Sequence, residues 1–316
     1  MHSDTSPTVG ILILNYHHPE ETLACVRSVL AKEGPESRIL WIENDAASQD
    51  GRAERILADS GLPWVAVDPE RDPMPGPGVV GYIANPENLG YAGGNNIGLR
   101  YLVKCGVPYA WVLNNDTELR EGSSSRLITA AMVRPEVGAW ATRIETERGH
   151  SYGGLVNPRT LATMPCADLR TIEGSPDAYA SGCSLFFRTA TAESVGLLPE
   201  HYFLYYEDPA FSMELKRRGL LIAGTDEVVV HHIESLSTGR RSMLMEYYNK
   251  RNRWHFMAAY YPHRVGANRW RLLHDLQKYL VRLRLRRAWV EWLAYRDFRQ
   301  GHSGPTARPL SRFQPT

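Results

Sequence analysis

Four short apolar runs, each ending in a polar cluster and separated by segments of helical spacing, constrain this chain more than any other feature. They are Val9–Leu14 (VGILIL), Arg38–Ile42, Trp64–Val67 or Val79–Ile83, and Tyr109–Leu113. A continuous apolar run of this length reads as a strand buried on both faces, the habit of parallel sheets. Between the runs, Pro19–Leu30 sets Leu23, Val26, Val29 and Leu30 at helical spacing, and Arg52–Ala58 and Asn95–Lys104 also read as helices. Asp68–Gly78, rich in Pro and Gly, is a surface loop. This alternation predicts an α/β fold with a mostly parallel sheet flanked by helices. Such sheets bind ligands beyond the carboxyl ends of their strands. The polar clusters fall there: Asn15-Tyr16, Glu43-Asn44-Asp45, Asn85–Asn96 and Asn114-Asn115-Asp116.

The middle of the chain is mixed, with strands at Ser184–Phe187 and Val228–Val230 and a helix at Pro209–Arg218. Beyond about residue 240 the character becomes aromatic, basic and helical. Lys250–Arg299 holds thirteen Lys/Arg against three Asp/Glu, although the whole chain of 316 residues carries a net charge of only +1. The expected division is a main domain at 1–240, with halves at about 9–120 and 121–240, and a helical extension at 241–316. The near-zero net charge argues against the whole molecule as a nucleic-acid binder. Cys25, Cys105, Cys166 and Cys183 form no metal-finger or CxxC spacing and read as reduced thiols of a cytoplasmic protein. Met1–Thr8 lacks the pattern of a secretory signal, and no apolar stretch is long enough to span a bilayer.

Each chemical feature has a plain structural alternative. Asn114-Asn115-Asp116-Thr117 directly follows the strand WVL, where Asp116 is placed to hold a divalent metal or the tetrapeptide is a plain Asx turn. Asn88–Asn96 (NLGYAGGNN) has glycines that admit a phosphate to backbone amides, Gly90 and Gly94 among them, or it is a tight turn before a helix. Glu207 and Asp208 open a helix, where they either act as a general base among aromatic residues or complement the helix dipole. His231-His232 ends the strand VVV, either as a metal ligand or as structural or exposed histidines. The C-terminal mixture of Arg, Lys, Trp and Tyr suits a solvated helix face, an anionic lipid surface or a nucleic acid.

The order of four segments resembles the family 2 nucleotide-sugar glycosyltransferases, particularly the bacterial rhamnosyltransferase-like branch. The segments are NLGYAGGNNIGL (Asn88–Leu99), VLNNDTEL (Val112–Leu119), SGCSLFFR…VGLLPEHYFLYYED…ELKRRG (Ser181–Gly219) and HIESLSTG…YYNKRNR (His232–Arg253). The resemblance implies a GT-A fold, a Rossmann-like nucleotide-binding half joined to an acceptor half. It implies that Asn15, Tyr16, Glu43 and Asn44 cradle the nucleoside, with Asp45 as a rival contact. Asn88, Asn95 and Asn96 would lie near the ribose and pyrophosphate. Asp116 matches the last carboxylate of the DxD-type motif that holds Mn²⁺ or Mg²⁺, beside Asn114 and Asn115, and His232 matches a metal-binding histidine. Asp208 matches the catalytic base, with Glu207 next to it. Ser237, Thr238, Arg251 and Asn252 match a set near the phosphates. The chain departs from the pattern at Glu43, where Asp is usual, at Asn114, which replaces the first Asp of the metal motif, and at Leu198–Glu200. It departs again at Ala210, where a second acidic residue is missing.

The expected activity is inverting, metal-assisted transfer of a sugar, rhamnose or another deoxysugar, from a dTDP- or UDP-linked donor to a hydroxyl acceptor. The acceptor would be a saccharide, a lipid-linked saccharide or a small metabolite. No nucleic-acid partner is expected, and the basic C-terminus permits peripheral contact with the inner face of a membrane. Two alternatives compete. A nucleotidyltransferase would need a glycine-rich basic loop after the first strand, where this chain has Asn15-Tyr16-His17-His18-Pro19. A degenerate, non-catalytic nucleotide-sugar binder would fit the carboxylates missing at Asn114 and Ala210.

Overall fold

The computed structural model describes residues 8–34, 36–233 and 243–306. The chain begins β1 (Val9–Asn15), α1 (Pro19–Glu33), β2 (Ile39–Asn44), α2 (Arg52–Asp59), β3 (Trp64–Ala66), β4 (Val80–Asn85), α3 (Gly90–Lys104) and β5 (Tyr109–Asn114). Both candidates for the third strand are strands. They pair with each other in parallel, Trp64 against Val80. The helix expected from Asn95 starts at Gly90, so the glycine-rich segment is its first turn and not a loop before it. Glycine is a poor helix former in isolation, but here its missing side chain lets the helix lie close on the sheet. A Cβ at Gly94 would sit 2.6 Å from Leu14 Cδ1, and one at Gly98 would sit 2.6 Å from Ile42 Cδ1.

The second half adds β6 (Thr117–Glu121), α4 (Ser124–Val133), β7 (Val137–Thr146), β8 (Gly149–Ser151), β9 (Gly153–Val156) and β10 (Thr163–Cys166). It continues with α5 (Leu169–Gly174), β11 (Ala178–Ala180), β12 (Ser184–Arg188), α6 (Thr189–Ser194), α7 (Glu207–Arg217) and β13 (Leu221–His232). The last elements are α8 (Met243–Tyr260), α9 (Val265–Val281) and α10 (Leu285–Arg299). The main sheet has the order β3-β4-β2-β1-β5-β12-β7-β13-β6, with β8 beside β7, while β10-β9-β11 form a small second sheet. From β3 to β5 all neighbours are parallel. β12 then joins β5 and β7 antiparallel, β13 runs parallel to β7, and β6 closes the edge antiparallel to β13.

Alternating side chains of the apolar strands feed two cores. Ile11, Ile13, Trp41 and Trp111 pack with Val26 and Val29 of α1 and Leu127 of α4 on one face. Leu12, Leu40, Ile42 and Val112 pack with Leu99 of α3 and Phe211 of α7 on the other. Strand β1 sits between β2 and β5, the place where strand order reverses and a crevice opens at the carboxyl edge. Only Asn115 and Asp116 link β5 to β6, yet three strands separate these two in the pairing order. Four strand spacings of ~4.8 Å would need ~19 Å in a flat sheet, more than three Cα steps of ~3.8 Å can span. The sheet therefore curls, and its curl brings the end of β13 to Asp116.

Candidate active site

The crevice beside β1 is framed by asparagines that bond to one another. Asn15 Nδ2 donates to Glu43 Oε2 at 2.7 Å, and its Oδ1 accepts from the Thr22 hydroxyl and from Asn115 Nδ2. Asn44 Nδ2 donates to Asn88 Oδ1 and to the Gly90 carbonyl, while its Oδ1 accepts from Asn85 Nδ2 and from the Leu89 amide. These bonds tie the ends of β1, β2 and β4 to the start of α3. Asn96 is likewise consumed, since it donates to the Leu198 carbonyl and accepts from the Leu198 amide. Glu43 Oε1 and Asn95 Oδ1 are buried without a hydrogen-bond partner among the described residues. Burial pushes the Glu43 carboxyl above its usual range, against bonds from Asn15 and Trp41 that lower it. Tyr16 is exposed against His17, whose Nε2 lies 3.2 Å from Asp45 Oδ2.

The other side of the crevice holds the carboxylates. Thr117 pairs with His232 across β6 and β13, and the Ile233 amide donates to the Asp116 carbonyl at 2.9 Å. This register brings His232 Nε2 within 3.2 Å of Asp116 Oδ2. Asp116 Oδ1 is buried and has no hydrogen-bond partner among the described residues. His232 also lines a cavity of about 290 Å³ together with Asn114, Tyr91, Tyr179, Glu207 and Asp208. Asp208 and His232, far apart in the chain, thus line one hollow, and Asp116 lies against His232. Among the described residues no group of three or more His, Cys, Asp or Glu side chains could hold a metal ion. Asp116 and His232 still offer an open carboxylate oxygen and an imidazole, donors that suit Mn²⁺ or Mg²⁺ once other oxygens complete the shell.

Asp208 and Glu207 start α7, whose Phe211 and Leu215 are buried and whose Pro209 is tolerated in the first turn. Asp208 Oδ2 accepts from the Gly182 amide at 3.1 Å, which fixes the carboxylate at the cavity wall. Burial pushes both carboxyls above their usual range, and the neighbouring Asp208 charge adds to the effect at Glu207. Glu207 Oε2 has no hydrogen-bond partner among the described residues. The segment before this helix is strained. Phe203, Tyr205 and Tyr206 have φ of 67°, 69° and 75°, each costing roughly 1–2 kcal/mol for a residue with a side chain. Gly90 accommodates the same loop. Its φ is 73°, and any Cβ there would lie 2.1 Å from the Phe203 carbonyl oxygen.

Arg251 and Asn252, expected beside phosphates, are both buried, against the loop that precedes α7. Asn252 Nδ2 donates to the carbonyls of Tyr202, Leu204 and Tyr205 at 2.6, 2.8 and 3.1 Å. Arg251 stacks its guanidinium over the rings of Tyr247 and Tyr248. From α8 the two hold the strained loop that carries Glu207 and Asp208. Ser237 and Thr238 lie outside the described residues. Sequence reasoning missed Tyr91 and Tyr179 as cavity walls. Tyr91 stands inside the NLGYAGG segment, so a signal existed, and its hydroxyl donates to the Gly182 carbonyl. Tyr179 sits in a strand with no motif.

A fold of this kind has solved counterparts. GalNAc-T7 with UDP, GalNAc and Mn²⁺ superposes with a TM-score of 0.53 at 13% identity, covering 72% of this chain and 44% of that one. The mannosyltransferase PcManGT from Pyrobaculum calidifontis, in complex with GDP-Man and Mn²⁺, gives 0.53 at 12% identity over 98% and 80% of the two chains. The fold is GT-A. No family model matches the sequence. A curated relative, the low-salt glycan biosynthesis hexosyltransferase Agl10 of Haloferax volcanii, is 26% identical over 185 residues. That alignment covers 55% of this chain and 58% of the relative, so it spans little more than half of the length of Agl10. No helix among the described residues is long and apolar enough to cross a membrane.

Proposed function

We propose that this chain is an inverting glycosyltransferase that moves a hexose or deoxyhexose from a nucleoside diphosphate onto an acceptor hydroxyl. One observation carries the reading: Asp208 and His232 line a single cavity, and Asp116 lies against His232. Asp208 takes the proton of the acceptor hydroxyl, which attacks the anomeric carbon from the face opposite the diphosphate. The raised affinity of its carboxylate for a proton suits a base working near neutral pH. The Gly182 amide keeps it aimed, and Tyr91 and Tyr179 keep bulk water from its surroundings. Asp116 and His232 would hold Mn²⁺ or Mg²⁺, which supplies charge neutralisation for the leaving diphosphate. The open Asp116 oxygen supports this role. With so few protein donors, diphosphate oxygens would have to complete the shell, so metal affinity in the absence of donor would be weak. Glu43, with its unpartnered Oε1, and Tyr16 contact the nucleoside, which is uridine or thymidine.

The Mn²⁺ ions, UDP and GDP-Man of the two solved neighbours support a nucleotide-sugar donor, as does the hexosyltransferase relative. Rhamnose is the sugar favoured by the motif order. The test is a screen of UDP- and dTDP-sugars for hydrolysis and transfer with Mn²⁺, run on the native chain and on D208N. The reading expects donor turnover that D208N loses. A native chain that turns over none of these donors, while releasing pyrophosphate from a nucleoside triphosphate and a sugar phosphate, would replace it with nucleotidyl transfer.

A further inference from the structure

The C-terminal helices present an apolar surface that the rest of the described chain leaves open. Helix α9 has three faces. Leu272 and Asn268 are buried, with Leu276 packed beside them, against the aromatic cluster around Trp254. A second face carries Trp270, Leu273, Leu280 and Val281, which at 3.6 residues per turn fall within an arc of about 100°. All four are exposed, Trp270 to 76% and Val281 to 77%. The third, bearing Arg271, Lys278 and Arg282, is exposed and basic. At the turn into α10 the sequence alternates, Val281-Arg282-Leu283-Arg284-Leu285-Arg286-Arg287, and every one of these side chains is exposed, Leu283 to 82%. The same stretch, residues 265–287, contains seven Lys/Arg and one acidic residue, Asp275.

A monomeric surface seldom leaves so many aliphatic groups together in water without a use. The charge beside them selects among occupants. A second copy of the chain would bring the same cluster of arginines and repel it. A nucleic acid would satisfy the arginines but offers nothing apolar for Leu283, Leu285 and Val281. An anionic bilayer offers both, phosphates at the surface and hydrocarbon beneath. We infer that the α9–α10 hairpin docks on an anionic lipid surface, its aliphatic apex entering the headgroup layer and its arginines on the phosphates. This stands apart from the reading of the cavity and survives or fails without it.

The test is flotation of the purified full chain with phosphatidylcholine vesicles, with and without phosphatidylglycerol. The expected result is binding to the anionic vesicles alone, weakening as salt is raised. The double variant L283E/L285E should bind at least ~10-fold more weakly, with an unchanged melting temperature and circular dichroism, because both side chains lie in solvent. Absence of flotation at low salt overturns the inference, and so does flotation of L283E/L285E equal to that of the native chain. A chain that ignores vesicles but retards a single-stranded RNA oligonucleotide would assign the surface to nucleic acid. A dimer by light scattering that L283E/L285E dissolves, again without vesicle binding, would assign it to a second copy.

Discussion

The two sides of the crevice treat their polar atoms in opposite ways. On the side of β1, β2 and β4, Asn15, Asn44, Asn85 and Asn115 bond to one another and to nearby backbone. On the cavity side Asp116 Oδ1 and Glu207 Oε2 are buried without hydrogen-bond partners among the described residues. A polar group that the fold consumes holds strands together. A buried one that the fold leaves open costs stability and is kept for something that arrives later. The frame has two exceptions, Asn95 Oδ1 and Glu43 Oε1, and the second falls on the carboxylate assigned to the nucleoside. Substitutions on the frame should therefore register in stability, and those on the cavity in turnover.

The largest expected effect is at Asp208. D208N should lower the rate of sugar transfer ~10²–10⁴-fold and leave nucleotide binding and melting temperature nearly unchanged. Retention of more than a tenth of the native rate would move the base to Glu207. Across the crevice, Asn44→Ala removes four hydrogen bonds, including those to the Leu89 amide and the Gly90 carbonyl. It should cost ~2–4 kcal/mol in urea unfolding, and a cost below ~1 kcal/mol would show that the frame does not carry the strand ends.

Asn252 sharpens the contrast, because it is a frame residue that serves the cavity. Asn252→Ala should slow transfer and lower stability by ~1–3 kcal/mol while nucleotide affinity stays within about twofold. A selective loss of nucleotide affinity, read by calorimetry, would instead return Asn252 to the phosphates. The smallest effect concerns Glu207. Its carboxyl holds a proton more tightly in the folded chain than in the unfolded one. The stability this gives is present at low pH and is lost as pH rises past the ordinary carboxyl value and through the raised one. Glu207→Gln should match the native chain near pH 4 and exceed it by ~1 kcal/mol near pH 9. Equal unfolding midpoints at both pH values would show that the carboxyl is solvated.

Much of this contrast was legible in the sequence, for physical reasons. A strand buried on both faces must be apolar throughout, so the first sheet could be read from runs such as VGILIL. The polar ends of those runs located the crevice. The expected start of α3 differs from the observed one because Gly90, Gly93 and Gly94 lower helix propensity, while what decides the matter is the close contact of Gly93 with Leu89 and of Gly94 with Leu14. Spacing shows that Asn252 follows Arg251. It does not show that the amide turns back to three carbonyls fifty residues earlier. The meeting of Asp116 with His232 needed the β6–β13 register, which no local pattern encodes, and motif order alone anticipated it.

The central claim is that Asp116, with His232, waits for a metal that arrives together with a diphosphate. Calorimetric titration of UDP and dTDP with and without Mn²⁺, on the native chain and on D116A, tests it most directly. The account predicts that Mn²⁺ tightens binding at least ~10-fold in the native chain and has no such effect in D116A, while Mn²⁺ alone binds weakly to both. Equal nucleotide affinity with and without the metal, or the same gain in D116A, would contradict it.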